Sequence, residues 1–184
     1  MSGDLRLTTA RLALSPMRES DFPDLCALYG DPAFAIPLFP QALTPEEVWT
    51  RLLRDIGHWA VMGCGHWAVR RSEDGAFVGG VGVLNYHRQI DPPLDVPELG
   101  WGVGVRFQGQ GLAREACEAV LAWCEDVLRT PETVCIIAPA NRPSIRLALA
   151  LGYRLEDQRV YREAPIQVFR RNLKTRAPAV VGPR

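Results

Sequence analysis

Hydrophobic and polar positions change their period along the chain, and each change marks an element. Leu5, Leu7, Leu12 and Leu14 alternate in part, with Thr8, Thr9 and Arg11 between them, which predicts a first strand ending before Pro16. From Glu19 to Tyr29 the apolar spacing becomes three and four, at Phe22, Leu25, Cys26 and Tyr29, so a short helix is expected with Ser20 or Asp21 as its cap. Asp31 to Gln41 mixes three prolines with Phe34, Ile36, Leu38 and Phe39. It reads as an apolar loop that packs onto a core or lines a pocket. Thr44-Pro45-Glu46-Glu47 combines an N-cap Thr, Pro at the first helical position and Glu as the third member of a capping box. The stripe Val48, Leu52, Ile56 and Trp59 carries that helix to about Met62, where Gly63-Cys64-Gly65 stops it.

A strand over His66 to Arg70 follows, with Glu73-Asp74-Gly75 as a hairpin turn into a second strand, Phe77–Tyr86. Arg88 to Pro97 carries three prolines and two aspartates and is expected as an exposed loop. The β-prone run Leu99 to Val105 then ends in Gln108-Gly109-Gln110-Gly111, and a helical pattern starts at Ala113 and continues to about Leu128. Thr133 to Ala138 is a short apolar strand. Asn141-Arg142-Pro143-Ser144 opens a helix through Leu151 that Gly152 closes in the left-handed conformation. Tyr153–Gln158 and Ile166–Asn172 are expected as closing strands, and the tail 174–184, with Lys174, Arg176 and Arg184, as a disordered basic segment. There is no repeat and no linker, so residues 1–173 form one α+β unit.

Length and composition narrow the function classes. A chain of 184 residues, 47% hydrophobic and 23% charged, suits one globular domain with a full core. A formal net charge of +0 supplies no field toward nucleic acid or anionic lipid, so neither partner is expected. The five cysteines are odd in number and contain no C-x-x-C pair, which points to reduced thiols in a cytoplasmic protein. Cys117 and Cys124, seven apart on one helix face, are expected to be buried. No apolar run approaches the ~18 residues of a membrane span, and Met1-Ser2-Gly3-Asp4 lacks the features of a signal peptide.

The chemistry concentrates in residues 98–116. Strand, Gly-rich turn and helix in succession place unpaired helix N–H groups and the positive dipole end at the turn, an arrangement that accepts phosphate. A turn that binds nothing has the same outline. The turn is not a P-loop, because Leu112-Ala113 stands where Lys-Ser or Lys-Thr is needed, and neither run of glycines completes G-x-G-x-x-G. No G-x-S-x-G elbow is present. His58, His66 and His87 have no metal-ligand spacing, and Cys64-Gly65-His66 lacks a matching second pair, so no metal site is expected. Glu98 opens the strand that feeds the turn. Partial desolvation there would raise its pKa and suit a general base, whereas an exposed strand edge would leave it ordinary. Asn141 and Ser144 stand at a helix start, where capping alone explains both, although the amide could also bond a ligand and the hydroxyl protonate a leaving thiolate. Trp49, Trp59, Phe34 and Phe39 are either a substrate wall or core.

Gln108-Gly109-Gln110-Gly111-Leu112-Ala113, read as Q/R-x-x-G-x-G/A, resembles the pyrophosphate turn of the GNAT superfamily of acyl-CoA-dependent N-acetyltransferases. The wider stretch is similar to the ribosomal-protein N-terminal acetyltransferase (Rim-type) subgroup, through Glu98, Leu99, Gly100, Trp101, Gly109, Gly111, Ala113, Glu115 and Ala116. Asn141-x-x-Ser144-x-x-Leu147 with Leu151-Gly152-Tyr153 looks like its second signature, and Leu7-x-Thr9-x-Arg11-Leu12-x-Leu14-x-Pro16 like its first strand. The resemblance spans about residues 5–172. It implies a mixed, mostly antiparallel central sheet flanked by helices on both faces, with acetyl-CoA as co-substrate and no metal. It also implies that Gln108, Gly109, Gln110, Gly111, Leu112 and Ala113 hold the pyrophosphate. Val103 and Val105 would pair with pantetheine as a strand would, and Asn141 would contact it. Ser144 would protonate the thiolate, and Glu98 would accept the amine proton through water. Many members carry a tyrosine acid where this chain has Ala148, which shifts that role to Ser144. The acceptor is a primary amine, either a protein N-terminus or a small molecule. Many such folds pair as homodimers, and no stretch of this sequence identifies an interface. A non-catalytic CoA-binding protein and a nucleotide-phosphate binder of another fold are the competing readings.

Overall fold

The partial alternation at the start of the chain folds as a hairpin rather than one strand. Thr9 turns the backbone, its N–H bonding the Leu12 carbonyl at 2.9 Å and its hydroxyl accepting from Leu12 N–H at 3.0 Å, which separates β1 (Leu7–Thr8) from β2 (Leu12–Pro16). These and the following elements belong to a computed structural model that describes residues 5–173; the basic tail from Lys174 lies outside the described residues. A 3-10 turn at Glu19–Asp21 leads into α1 (Phe22–Gly30), and the expected apolar loop contains the single-turn α2 (Pro32–Ala35), capped by Asp31. Helix α3 (Pro45–Met62) has both bonds of the Thr44/Glu47 capping box and ends at Gly63 with φ +67°. The remaining elements are β3 (His66–Arg71), β4 (Phe77–Leu84), β5 (Glu98–Val103), α4 (Leu112–Trp123), β6 (Glu132–Ile137), α5 (Arg142–Ala150), β7 (Arg154–Tyr161) and β8 (Ala164–Asn172). A π turn over Cys124–Leu128 extends α4 to the boundary that the sequence predicts.

The strands form one sheet in the order β1-β2-β3-β4-β5-β6-β8-β7, antiparallel throughout except between β5 and β6. Alternation sorts its side chains onto two faces. Leu12, Leu14, Trp67, Val69, Val81, Val83 and Leu99 point to one face, where α4 and α5 bring Ala116, Cys117, Val120, Leu121 and Ala148. Cys117 and Cys124 are both fully buried there, as expected. On the other face α1 and α3 cover Met17, Ala68 and Phe77 with Leu25, Val48 and Leu52. The segment expected as an exposed loop, 88–97, instead covers the far half of that face. Ile90, 4% exposed, packs with Val134, Ile166 and Val168, because those strand residues need an apolar cover that no helix supplies.

One polar tie joins the first hairpin to the start of α4. Glu115 accepts from the Thr9 hydroxyl at 2.6 Å, from the Arg11 N–H at 2.9 Å and from Arg11 Nε at 2.7 Å. Arg11 also donates to the Gln110 carbonyl at 2.9 Å, so the tie reaches the Gly-rich turn itself. Burial pushes the Glu115 carboxyl up, but the hydroxyl, the amide and the guanidinium together hold it below the usual carboxylate range.

Two outcomes follow for stability. A Cβ at Gly79, where φ is +149°, would stand 2.1 Å from the Gly102 carbonyl oxygen, whereas one at Gly57 inside α3 meets nothing within 4 Å. In urea melts Gly79→Ala is expected to lose about 3 kcal/mol or more, and Gly57→Ala to gain about 0.5–1 kcal/mol. Glu115→Gln should cost about 1 kcal/mol at neutral pH. Because the folded-state pKa is depressed, that contribution is present above the unfolded value near pH ~4.3 and is lost as pH falls through the folded value. The gap between variant and parent melts should therefore close in acid.

Candidate active site

Strand β5 is in register with β6 only at Glu98 and Val134, where Val134 N–H also bonds the Pro97 carbonyl at 3.0 Å. Beyond that rung the two strands diverge. The β5 edge from Trp101 to Val103 therefore borders a cleft of about 500 Å³, which passes from Phe34 and Leu38 across Gly102 and the Gly-rich turn to Asn141 and Ser144. On the turn side, the backbone leaves β5, makes a 3-10 turn over Val105–Phe107 and enters α4 through Gly109 (φ +73°) and Gly111 (φ +77°). Gly111 is the N-cap and no side chain caps the helix, so its first N–H groups are left to the cleft. Gly109, Gly111, Leu112, Ala113 and Gln108 all line it, as does Val103.

One sequence expectation changes here. Val105 lies in the 3-10 turn and not in the strand, and its carbonyl accepts from Gln108 N–H at 3.1 Å. Gln108 also bonds the strand end, its Nε2 donating to the Val103 carbonyl at 3.1 Å. The Gln110 side chain stays within the turn, bonded to the Arg106 carbonyl at 2.9 Å. On the opposite wall, Asn141 Oδ1 accepts from Ser144 N–H at 3.2 Å, the capping bond at the start of α5. Ser144 is half-buried at the cleft, and Ala148 is fully buried in the core. Of the aromatic residues, Phe34 lines the cleft, whereas Trp59 packs edge-on to Trp67 and Trp123 in the core.

Glu98 is on a different surface from Ser144. It points to the α3 face of the sheet, beside a second cavity of about 170 Å³ that Leu84, Tyr86, Arg88 and Leu94 also line. It is 7% exposed rather than an open edge residue, and Arg88 donates to both its oxygens, at 2.5 Å from Nε and 2.9 Å from Nη2. Burial thus acts on an ion pair and not on a lone carboxylate. Burial pushes the Arg88 guanidinium down, but Glu98 and the Tyr161 hydroxyl, 3.1 Å from Nη1, raise it further than burial lowers it.

Between Glu98 and Phe34 the same face of β5 has only Gly100 and Gly102, next to Gly80 and Gly82 on β4. The α3 side of this bare strip has a polar cluster that sequence reasoning missed. Asp55, 6% exposed, faces His66 Nδ1 at 3.1 Å and accepts from the Tyr86 hydroxyl at 2.8 Å. Burial pushes the Asp55 carboxyl up, and His66, Arg54 and Tyr86 outweigh it to hold the group well below the usual range. Burial and the Asp55 charge push the Tyr86 hydroxyl up, so it remains a donor. The one signal in the chain is the glycine alternation at 80, 82, 100 and 102, which leaves a strip of sheet without side chains. Among the described residues no group of three His, Cys, Asp or Glu side chains is placed to hold a metal ion, and no helix is long and apolar enough to cross a membrane.

Comparison with known proteins matches this architecture. An uncharacterized protein of Bacillus subtilis (strain 168), YkkB, is 27% identical over 93% of this chain and 98% of its own. A solved chain from Bordetella pertussis, described as a GnaT-family acetyltransferase, is 30% identical with a TM-score of 0.82, covering 91% of this chain and 99% of its own. The fold alone is shared with spermidine N-acetyltransferase from Vibrio cholerae in complex with CoA and spermine, at 15% identity and a TM-score of 0.70 over 91% and 98% of the two chains. A family model described as an acetyltransferase (GNAT) domain matches residues 11–154, and the chain therefore belongs to the GNAT acetyltransferases.

Proposed function

We propose that the cleft between β5 and α5 binds acetyl-CoA and that the chain moves its acetyl group to a primary amine arriving on the α3 face of β5. The observation that carries this reading is a single cleft bounded by an uncapped helix start, a free strand edge and the Asn141–Ser144 wall. The pyrophosphate takes the N–H groups around Gly109, Gln110, Gly111, Leu112 and Ala113, where the helix dipole favours negative charge. Pantetheine amides pair with the β5 edge at Val103, whose carbonyl Gln108 Nε2 marks as an acceptor position, and Val105 contributes from the turn. Asn141 bonds the pantetheine arm.

The neutral amine nitrogen attacks the thioester carbonyl carbon, the C–N bond forms, the C–S bond breaks and the nitrogen's surplus proton leaves through water. Ser144 donates a proton to the departing sulfur. Holding both reactants on either side of one strand converts a bimolecular encounter into a step within the complex. Glu98, paired with Arg88 through both oxygens, lines the amine side of β5. The Rim-type pattern at 98–116 favours a protein N-terminal amine, and small amines are the alternative acceptors. A protein that binds CoA without turnover is the second reading, favoured by the engagement of both Glu98 oxygens with Arg88.

Thermal unfolding tests the donor. Acetyl-CoA at about 100 times its Kd adds ~2.7 kcal/mol and should raise Tm by roughly 5–10 °C, with no rise for ATP or NAD. No shift at saturating acetyl-CoA, or a shift with ATP or NAD alone, would sink the reading. Ser144→Ala should keep the shift and lower amine-dependent thiol release about 10- to 100-fold. A parent protein that shifts but releases no thiol with any amine would be the non-catalytic binder.

A further inference from the structure

Two histidines flank Tyr86, and their hydrogen bonds separate their roles. His58 uses both ring nitrogens within the fold. Its Nδ1 lies 2.6 Å from the Cys64 carbonyl, which can only accept, and its Nε2 accepts from Asn85 N–H at 2.9 Å. His66 uses only one. Its Nδ1 lies 3.1 Å from an Asp55 carboxylate oxygen, which can only accept, and 3.4 Å from the Tyr86 hydroxyl, which already donates to Asp55, so these neighbours favour a hydrogen on Nδ1 and a lone pair on Nε2 of the singly protonated ring. The second Asp55 oxygen is occupied by the Tyr86 hydroxyl, which keeps the carboxylate turned toward the ring. Among the described residues Nε2 has no protein partner, and the side chain retains 14% of its exposure.

The ring's position matters as much as its tautomer. A Cβ at Gly82 would stand 2.6 Å from His66 Cδ2 and 3.0 Å from Nε2, so the ring lies flat on β4 only because that residue has no side chain. Gly82 is in register with Gly100 of β5, one strand spacing of about 4.8 Å away. Nε2 therefore lies over Gly82, one strand in from the β5 edge, on the face where the proposed amine would sit.

We propose that His66 takes the proton from the acceptor amine, through Nε2 and a bridging water, and that Asp55 and Tyr86 are its positioning residues. This rests on the acetyl-transfer reading above. As the C–N bond forms, the nitrogen's surplus proton passes through water to Nε2, and the electron pair of the breaking C–S bond leaves on sulfur, which Ser144 protonates. His66 then returns its proton to solvent, and Ser144 recovers its own from solvent, so that the net transfer is one proton from nitrogen to sulfur. Glu98 is poorly placed for the same task. Both its oxygens are held by Arg88, which Tyr161 also anchors, and protonating the carboxylate would break a buried ion pair. Among the described residues the titratable groups against His66 are Asp55 from α3, which Arg54 also bonds, and Tyr86 beyond β4, over whose ring Arg54 lies at 4.3 Å and Arg88 at 5.3 Å.

The test uses the full chain in two arms. Spectra of ¹⁵N-histidine-labelled protein should show His66 with its hydrogen on Nδ1, and Asp55→Asn should abolish that preference. Thiol release from acetyl-CoA is then followed with spermidine, free amino acids and alanyl and seryl peptides, using the amine that the parent turns over fastest. His66→Gln should lower kcat about 100-fold or more and remove the acid limb of its pH profile, with the acetyl-CoA thermal shift retained. Should His66→Gln fail to melt cooperatively, Asp55→Asn and Tyr86→Phe serve instead, with the acid limb displaced in each. A hydrogen on Nε2 in the parent, or His66→Gln within threefold of the parent while Glu98→Gln loses the acid limb, overturns the proposal. A parent that binds acetyl-CoA but releases no thiol with any amine overturns the acetyl-transfer reading, and this proposal with it. A variant that keeps the acetyl-CoA shift and the parent rate overturns only the role of His66.

Discussion

Only Glu98 and Val134 are in register between β5 and β6, and this one rung governs what the rest of the molecule can do. A parallel pair joined at one end and open at the other leaves the β6-facing N–H and C=O groups of β5 without a strand partner along most of its length, while β4 pairs with the other edge. Such an edge readily takes another extended, amide-bearing chain. The splay also carries α4 and α5 apart, so that an uncapped helix start and the Asn141 turn face each other across the gap. Had β6 zipped fully onto β5, the sheet would be more regular and the cleft would not exist.

The other face of the sheet is shaped by what covers it. Helices α1 and α3 cover β2 to β4, and the segment 88–97 covers β6 and β8 through Ile90. Between these covers β5 presents Glu98, Gly100 and Gly102, a strip with one carboxylate and otherwise no side chains. The cleft and this strip are thus separated by the thickness of a single strand. In the proposed reaction that geometry would bring two reactants together without either crossing the other's binding surface.

Buried charge along the strip is paired throughout. Arg88 with Glu98, and Asp55 with His66 and Tyr86, satisfy groups whose isolation from water would otherwise be costly. These pairs also fix orientation. A carboxylate bonded on both oxygens cannot rotate, and a histidine bonded on one nitrogen presents the other in a defined direction. Electrostatic satisfaction and chemical poise are here the same set of contacts, and they distinguish His66 from its neighbour His58.

Local signals were legible wherever the physics is local. The capping box at Thr44 and Glu47, the closing Gly63 and the αL glycines of the Gly109–Gly111 turn depend on neighbouring residues and appear where the sequence places them. One wall of the cleft was legible for the same reason, because a strand, a turn and a helix start are contiguous in the chain. The split of the first strand at Thr9, the short helix at 32–35 and the burial of 88–97 were not. Each depends on a surface contributed from elsewhere: Glu115 for the first, and an uncovered apolar sheet face for the last. The Arg88–Glu98 pair and the Asp55–His66–Tyr86 cluster join residues 10 to 31 positions apart, and no periodicity records which of many polar side chains will meet. By itself the sequence determined most of the elements, the fold class and the Gly-rich turn before α4, since these follow from hydrophobic period and backbone chemistry. Only the tertiary structure decided which carboxylate is engaged and which ring nitrogen is open, because hydrogen-bond partners across strands are set by packing.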